Sequence, residues 1–223
     1  MKTLLARIFG KKTPMTNLTI IGNGNMARGI ATRALAGGLT VEVLGQDITK
    51  AQELAAELGA GVTFGTTAEA PQGAIVVLAV PFDAAKNVVS AYGEALTGKT
   101  IVDITNPVNF ETFDGLTVAP DGSATAEIAA ALPDSQVLKA FNTNFAGTLA
   151  AGTVGSLPTT VLIAGDDADA KALLAGIVTS GGLRAIDAGS LARARELESQ
   201  GFLQITLAAG EKVSWTGGFG VVA

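Results

Sequence analysis

The stretch Leu18-Thr19-Ile20-Ile21-Gly22-Asn23-Gly24-Asn25-Met26-Ala27 decides the fold. Its first half is a short β-branched run that predicts a buried parallel strand ending at Gly22. Residues 25–36 have the composition of a helix that stops at Gly37-Gly38. The pattern Gly22-x-Gly24-x-x-Ala27 at such a turn is typical of dinucleotide binding, since glycines allow a tight turn and the approach of a pyrophosphate.

Strands and helices alternate along the rest of the chain. Further strands are predicted at 40–44, 61–64, 74–80, 100–104, 136–141, 159–164 and 183–186, and helices at 47–58, 84–91, 123–132, 168–179 and 191–209. This alternation predicts an α/β protein with a doubly wound parallel sheet. We expect a basic N-terminal extension at 1–14, a dinucleotide-binding domain at 15–150 and a smaller C-terminal lobe at 151–223.

Composition excludes several kinds of protein. The 223 residues include no cysteine and no histidine, which excludes Ser-His-Asp and Cys-His catalysis, disulfides, and zinc sites built on those side chains. A net charge of −5 argues against nucleic-acid binding. No apolar run approaches the ~18 residues of a membrane span. We therefore expect a cytoplasmic protein that binds small molecules, with neither a nucleic acid nor a membrane as partner.

The choice of dinucleotide depends on the residues after the second predicted strand. Asp47 is the acid at the position that usually accepts hydrogen bonds from the adenosine ribose, which favours NAD(H). Asp47 could equally cap the helix 47–58. Gln46 and Lys50 could still meet a 2′-phosphate, so NADP(H) stays open.

Polar and aromatic residues follow the fourth, fifth and sixth predicted strands, where ligands of parallel sheets bind. The candidates there are Val80, Pro81, Phe82, Asn106, Pro107, Phe141, Asn142, Thr143 and Phe145. Phe82 and Phe145 could form walls beside a nicotinamide or belong to the core. The polar candidates could bind a flat heterocycle or stabilise turns. Lys139 could point from the sixth strand into the cleft, but we expect it to be a solvated lysine at the end of that strand.

A proton donor is missing from these candidates. Ketone reduction needs His, Tyr or Lys beside the carbonyl oxygen, and no motif surrounds Tyr92, the single tyrosine. A flavin or deazaflavin ring delocalises the charge of an added hydride and needs no such group. We therefore assign no catalytic residue and expect the chain to hold two rings together and exclude water.

Six segments together resemble the NADPH-dependent coenzyme F420 oxidoreductase family over residues 17–208. They are Ile21-Gly22-Asn23-Gly24-Asn25-Met26-Ala27, Val80-Pro81, Asp103-Ile104-Thr105-Asn106-Pro107, Lys139-Ala140-Phe141-Asn142-Thr143, Ala164-Gly165-Asp166-Asp167 and Asp187-Ala188-Gly189. The resemblance implies a Rossmann domain with a small C-terminal helical lobe and a homodimer. It also implies hydride transfer between NADP(H) and the deazaflavin coenzyme F420.

The same resemblance assigns roles to residues. It implies that the pyrophosphate is held by Gly22, Asn23, Gly24, Asn25 and Met26. Val80 and Pro81 would flank the path of the cofactor, and the two rings would lie among Asn106, Pro107, Phe141, Asn142 and Thr143. Where the family has Ser or Thr and Arg for the 2′-phosphate, this chain has Gly45-Gln46-Asp47.

Two other interpretations of the glycine turn stay open. The turn also resembles that of pyrroline-5-carboxylate reductase, which would make the chain an imine reductase. The absence of acid and base residues is also compatible with a non-catalytic nucleotide-binding module.

Overall fold

The structure, a computed structural model, describes residues 18–222, and the predicted extension at 1–14 lies outside them. The helices are α1 (Asn25–Ala36), α2 (Ile48–Leu58), α3 (Phe82–Tyr92), α4 (Ala124–Ala130), α5 (Ala146–Ala151), α6 (Ala168–Ser180) and α7 (Ala194–Ala209). The strands are β1 (Leu18–Ile21), β2 (Val41–Gly45), β3 (Val62–Thr66), β4 (Ile75–Leu78), β5 (Thr100–Asp103), β6 (Gln136–Lys139), β7 (Thr153–Val154), β8 (Leu157–Pro158), β9 (Thr160–Gly165) and β10 (Arg184–Gly189). Short 3₁₀ helices at Gly93–Leu96 and Leu191–Arg193 precede β5 and α7.

Eight of these strands form one sheet in the order β10-β9-β6-β5-β4-β1-β2-β3. The six strands from β6 to β3 are parallel, whereas β9 pairs with β6 in the antiparallel direction. The predicted doubly wound sheet is confirmed, with one antiparallel junction that the alternation of elements did not reveal. β9 and β10, which come after residue 150, extend the same sheet, and the domain boundary at 150 stays a prediction.

The sheet separates two apolar cores because successive strand residues point to opposite faces. Ile20, Val77 and Val102 pack beneath α1, α2 and α6 on one face. Ile21 and Val76 pack beneath α3 and α4 on the other. Within residues 18–222, no helix is both long and apolar enough to cross a membrane.

Local signals in the sequence set the bounds of most elements. Asp47 and Ser123 were expected to begin helices, and their side chains accept hydrogen bonds from the first turns of α2 and α4. The glycines expected at helix ends follow α1 and α2, at Gly37 and Gly59. The short helix α5 and the hairpin β7–β8 were not predicted, since each is too short to show a clear hydrophobic period.

The order of the strands reverses between β1 and β4, and Gly22 lies at that point. Its backbone has φ +117°, and its N–H donates to the carbonyl of Leu44 at 2.8 Å. A Cβ atom built on Gly22 would overlap the carbonyl oxygen of Ala79, the residue that follows β4. Gly22 is therefore required both by its positive φ and by the close approach of the two strand ends. The crevice outside these ends is where open α/β sheets bind ligands.

We expect Gly22→Ala to lower the free energy of unfolding by about 3 kcal/mol or more, because the methyl group adds overlap to a strained φ. Gly98→Ala is the matched control, since Gly98 also has a positive φ (+73°) but no atom within 4 Å of an added Cβ. The free energy of unfolding of Gly98→Ala should fall by about 1–2 kcal/mol. Urea denaturation of both variants measures the difference, and equal losses would contradict the packing argument.

Candidate functional site

The turn after β1 leaves the start of α1 open to a ligand. Gly24 is the N-cap of α1, no side chain caps it, and the first turn carries no acidic residue. The N–H groups of that turn have no partner within the helix. No atom lies within 4 Å of a Cβ built on Gly24, so open space adjoins the turn. This arrangement fits a phosphate or pyrophosphate, which the helix N-terminus would stabilise.

A cavity of about 440 Å³, hereafter the β4–β5 cavity, opens beside this turn at the carboxyl ends of β4 and β5. It is lined by Gly24, Asn25, Met26, Ala79, Val80, Pro81, Phe82, Asp83, Ile104, Thr105, Asn106, Pro107, Val108, Phe110, Thr117 and Ile205. Most of these side chains are apolar. Asp83 is the one titratable residue in this lining, and it forms an ion pair of 3.0 Å with Lys86 on the surface of α3.

A second cavity of about 240 Å³, hereafter the β2 cavity, lies on the other side of the glycine turn. It is lined by Ile21, Gly22, Asn23, Gln46, Asp47, Lys50, Thr67, Val80, Pro81, Ala84 and Val88. Val80 and Pro81 line both cavities. The two cavities and the turn between them offer an elongated ligand one continuous surface.

Asp47 does what the capping interpretation predicts. Its Oδ1 accepts hydrogen bonds from the backbone N–H groups of Thr49 at 2.9 Å and Lys50 at 3.4 Å. Both bonds end on Oδ1, so within the described residues Oδ2 stays available to a ribose hydroxyl. Gln46, Asp47 and Lys50 are all exposed. Lys50 is the one cation in the lining of the β2 cavity.

The candidates after β6 do not line the β4–β5 cavity. Phe141, Asn142 and Thr143 are buried behind it, at 4%, 5% and 6% exposure. The Asn142 side chain donates to Asn106 Oδ1 at 2.9 Å and to the carbonyl of Leu197 at 2.8 Å. The structure thus brings Asn106 and Pro107 to the cavity with the glycine turn, while Asn142 supports Asn106 from behind.

Two aromatic candidates separate in the same way. Phe82 lines the β4–β5 cavity, and Lys86 Nζ lies 4.3 Å from the centre of its ring. Phe145 instead lines a third cavity, of about 540 Å³, on the other side of Asn25 and Met26. There its ring packs against Trp215, with the ring centres 4.9 Å apart.

The prediction for Lys139 is wrong. Its side chain is completely buried and lies 2.8 Å from Asp103 and 2.9 Å from Glu198. The prediction used only the position of Lys139 at the end of a strand. It could not include Glu198, because that carboxylate belongs to α7, far along the chain. No group of three or more Asp or Glu residues between 18 and 222 is placed to hold a metal ion.

Tyr92 does not reach either cavity. Burial of its hydroxyl, with a smaller contribution from Glu42 and then Glu69, raises the pKa of Tyr92 to about 12. The hydroxyl is therefore a poor proton donor at neutral pH, as well as remote from the cavities. Among residues 18–222, no tyrosine or lysine lines the β4–β5 cavity.

Several residues of the β4–β5 cavity were not among the candidates from the sequence. They are Asp83, Ile104, Phe110, Thr117 and Ile205, whereas Ala79, Thr105 and Val108 belong to the strand ends where the sequence predicted ligand positions. Asp83 and Ile104 directly adjoin those predicted segments, and the carboxyl ends of β4 and β5 were the signal that could have found them. Ile205 comes from α7, and no local pattern connects it with the site.

The strand order, the open glycine turn and the paired cavities define a Rossmann-type dinucleotide-binding protein. The model of the family described as NADP oxidoreductase, coenzyme F420-dependent, matches residues 17–107. The F420-dependent NADP reductase of Methanothermobacter marburgensis is 32% identical over 192 residues, which cover 79% of this chain and 85% of that protein. The chain therefore belongs to this family of NADP-dependent oxidoreductases.

Two further proteins are similar to this chain. A crystal structure from Arthrobacter sp. FB24, assigned as an F420-dependent NADP-reductase, has a TM-score of 0.81 and 25% identity, covering 93% of this chain and 99% of that one. Metalloreductase STEAP3 of Rattus norvegicus is 33% identical over 181 residues, which cover 81% of this chain. The chain spans about a third of that metalloreductase, 35% of its length.

The capping role of Asp47 can be separated from any role in nucleotide binding. We expect Asp47→Ala to lower the free energy of unfolding of the ligand-free protein by about 1 kcal/mol, because α2 loses its N-cap. Asp47→Ser should retain most of the stability, since serine also caps helices. Thermal or urea denaturation without nucleotide measures both variants. If Asp47→Ala and Asp47→Ser lost the same amount of stability, helix capping would not explain the residue at position 47.

Proposed function

We propose that this protein transfers a hydride between NADP(H) and a planar deazaflavin or flavin-like ring, with coenzyme F420 as the first acceptor to test. The observation that carries the proposal is the β4–β5 cavity. It adjoins the open glycine turn, it is lined mainly by apolar side chains, and its lining between residues 18 and 222 includes no tyrosine or lysine. The names of the two F420-dependent NADP reductases among the similar proteins support the same reaction.

The lining of the cavity favours a ring acceptor over a ketone. A carbonyl oxygen that receives a hydride at its carbon needs a proton from a nearby acid. The exposed, ion-paired Asp83 is the one titratable residue that the described part of the chain places in this lining. When bound, the dihydronicotinamide supplies the hydride, and a deazaflavin or flavin ring delocalises the resulting charge. The residues of the chain then have to align two rings and exclude water.

Individual residues suit these tasks. Pro107, Val108 and Ile205 offer apolar surface against which flat rings can pack. Phe110 lies at the edge of the cavity, 61% exposed, with its ring 5.5 Å from that of Phe113. The side chain of Asn106 is fixed by Asn142 and provides a polar group in a wall that is mainly apolar.

NADP(H) would bind along both cavities. The turn of Gly22 and Gly24 would hold the pyrophosphate, and the adenosine half would occupy the β2 cavity. Lys50 would then meet the 2′-phosphate, with Gln46 beside it. The family resemblance leads us to expect Ser or Thr and Arg at this position, but the chain has Gly45-Gln46-Asp47 there. Binding of the 2′-phosphate would therefore depend on one flexible cation, Lys50. A cytoplasmic location and a homodimer, both expected from the sequence, stay predictions.

The proposal predicts that the purified chain bleaches oxidised coenzyme F420 when NADPH is added. The absorbance of the deazaflavin reports the reaction, and NADH, FMN and 1-pyrroline are offered in parallel assays. We expect the deazaflavin with NADPH to react fastest, because the cavity favours a flat acceptor that needs no protein acid. Bleaching with NADH but not NADPH would reverse the assignment of the nucleotide.

Gly24→Val is the matched control for this assay. Gly24 has an extended backbone, with φ −84° and ψ −172°, and open space around it. The variant should therefore fold normally while its side chain blocks the pyrophosphate, and both binding and bleaching should be lost. The proposal would be wrong if the native chain bound NADPH tightly but bleached neither coenzyme F420 nor FMN. Oxidation of NADPH with 1-pyrroline alone would favour an imine reductase.

Lys50 should determine the preference for NADPH over NADH. We expect Lys50→Ala to raise the Kd of NADPH about fivefold to tenfold and that of NADH less than about twofold, because one exposed ion pair to the 2′-phosphate is lost. Titration calorimetry measures both constants. Lys212→Ala, an exposed lysine remote from the cavities, controls for the change in net charge. Equal changes for the two nucleotides would show that Lys50 does not read the 2′-phosphate.

A further inference from the structure

Four buried polar side chains form a cluster at the carboxyl ends of β5 and β6. This lysine cluster consists of Asp103, Thr125, Lys139 and Glu198, and its three charged side chains are completely inaccessible to solvent. Lys139 Nζ lies 2.8 Å from Asp103 Oδ2 and 2.9 Å from Glu198 Oε1. The Thr125 hydroxyl lies 2.6 Å from Asp103 Oδ2 and 3.1 Å from Glu198 Oε1.

Stability alone does not explain the lysine cluster. Removing charges from water is costly, and well-packed apolar residues of similar volume are often as stabilising as a buried ion pair. The question is therefore which parts of the molecule the lysine cluster holds in place.

One of those parts is the loop that enters the β4–β5 cavity. Asp103 Oδ1 accepts a hydrogen bond from the N–H of Thr105 at 2.8 Å, and Lys139 donates to the carbonyl of Thr105. Both backbone groups of Thr105 are thus fixed by side chains of the lysine cluster. β5 ends at Asp103, so its ladder does not reach Ile104 and Thr105, and the next strand-like pairing is the isolated bridge between Val108 and Leu116. Thr105 is itself part of the cavity wall and directly precedes Asn106 and Pro107.

The other part is helix α7. Glu198, near its start, accepts from the backbone N–H groups of Ala124 at 2.9 Å and Thr125 at 3.2 Å, while its Oε1 also contacts Lys139. Gly201 packs directly on Asn106, because a Cβ there would overlap the Asn106 side chain. One helical turn further on, Ile205 lines the β4–β5 cavity.

A strained residue lies in the same region. Phe141 follows β6 with φ +62°, an unusual backbone conformation for a residue with a bulky side chain. It lies between Lys139, in the lysine cluster, and Asn142, which bonds to Asn106 and to α7. Such strain persists only where the surrounding contacts fix the backbone firmly.

We propose that Lys139, Asp103 and Glu198 are positioning residues of the hydride-transfer site. They fix the loop at 104–108 and the face of α7 relative to each other, and so set the spacing between Asn106, Pro107 and Ile205. This spacing determines how the reacting rings align. The inference rests on the proposed function, and it concerns the nicotinamide end of the site rather than the glycine turn.

The test compares Lys139→Met and Glu198→Gln with the control Glu42→Gln. Glu42 is also a buried carboxylate, 2.6 Å from the Thr19 hydroxyl and 2.9 Å from the N–H of Gln72, but it lies near the amino end of β2, away from the cavities. Removing the carboxylate in Glu42→Gln should lower the melting temperature without changing the rate of hydride transfer. Glu198→Gln keeps the size of the side chain, so it is the variant to rely on if Lys139→Met does not fold.

We expect kcat for reduction of the deazaflavin by NADPH to fall about 100-fold in Lys139→Met and about 10-fold in Glu198→Gln, because small misplacements of reacting groups cost that much. Binding of 2′-phospho-ADP-ribose, the NADP fragment without nicotinamide, should stay within about twofold of the native value, since the glycine turn is unchanged. A general loss of structure would weaken fragment binding as well.

Two results would overturn the inference. One is a folded Glu198→Gln variant with native kcat and native NADPH affinity. The other is an equal fall of kcat in Glu42→Gln. If the native chain reduces no ring at all, the proposed function fails first, and the inference is then judged by binding alone. A weaker affinity for NADPH with unchanged affinity for the fragment would still support it, whereas unchanged affinity for both would overturn it.

Discussion

The close approach of β1 and β4 at Gly22 is the constraint on which the rest of the site depends. The carbonyl of Ala79 occupies the space where any other residue would carry its Cβ, and the backbone of Gly22 has a positive φ. Only this approach brings the start of α1 beside the end of β4, with one cavity on each side of the turn. The ability of Gly22 to adopt a positive φ without a Cβ atom thus determines where an elongated ligand can lie.

The two halves of the site differ in how far apart their parts are in the sequence. The glycine turn, β2 and the cap Asp47 lie within about thirty residues, and their roles follow from strand, turn and helix signals. These elements, and most other helices and strands, could be predicted from the sequence. The resemblance to the family added the reaction and the importance of the strand ends, which periodicity alone does not give.

The other half could not be predicted in detail, because it depends on contacts between distant residues. Lys139 meets Asp103 and Glu198 across separations of 36 and 59 residues (139 − 103 and 198 − 139). Nothing near Lys139 indicates whether a carboxylate will reach it, so the expectation of a solvated lysine was physically reasonable and wrong. The same holds for Asn142, which supports Asn106 and α7 instead of facing the cavity, and for Ile205, which α7 delivers to the wall.

The apolar lining of the β4–β5 cavity and the charged cluster behind it are consequences of one requirement. Among the described residues that line the cavity, the ion-paired Asp83 is the one titratable group, so in the proposed reaction alignment and the exclusion of water would account for most of the effect of the site. Alignment needs walls that do not move, yet the ladder of β5 ends before Thr105, and the loop pairs again only at the bridge between Val108 and Leu116. A buried lysine with two carboxylates supplies directional bonds to that loop, which apolar packing cannot do because it has no preferred direction. The charged side chains of the lysine cluster lie behind the cavity wall and away from the space for the rings. This position is the one that the proposed hydride transfer requires.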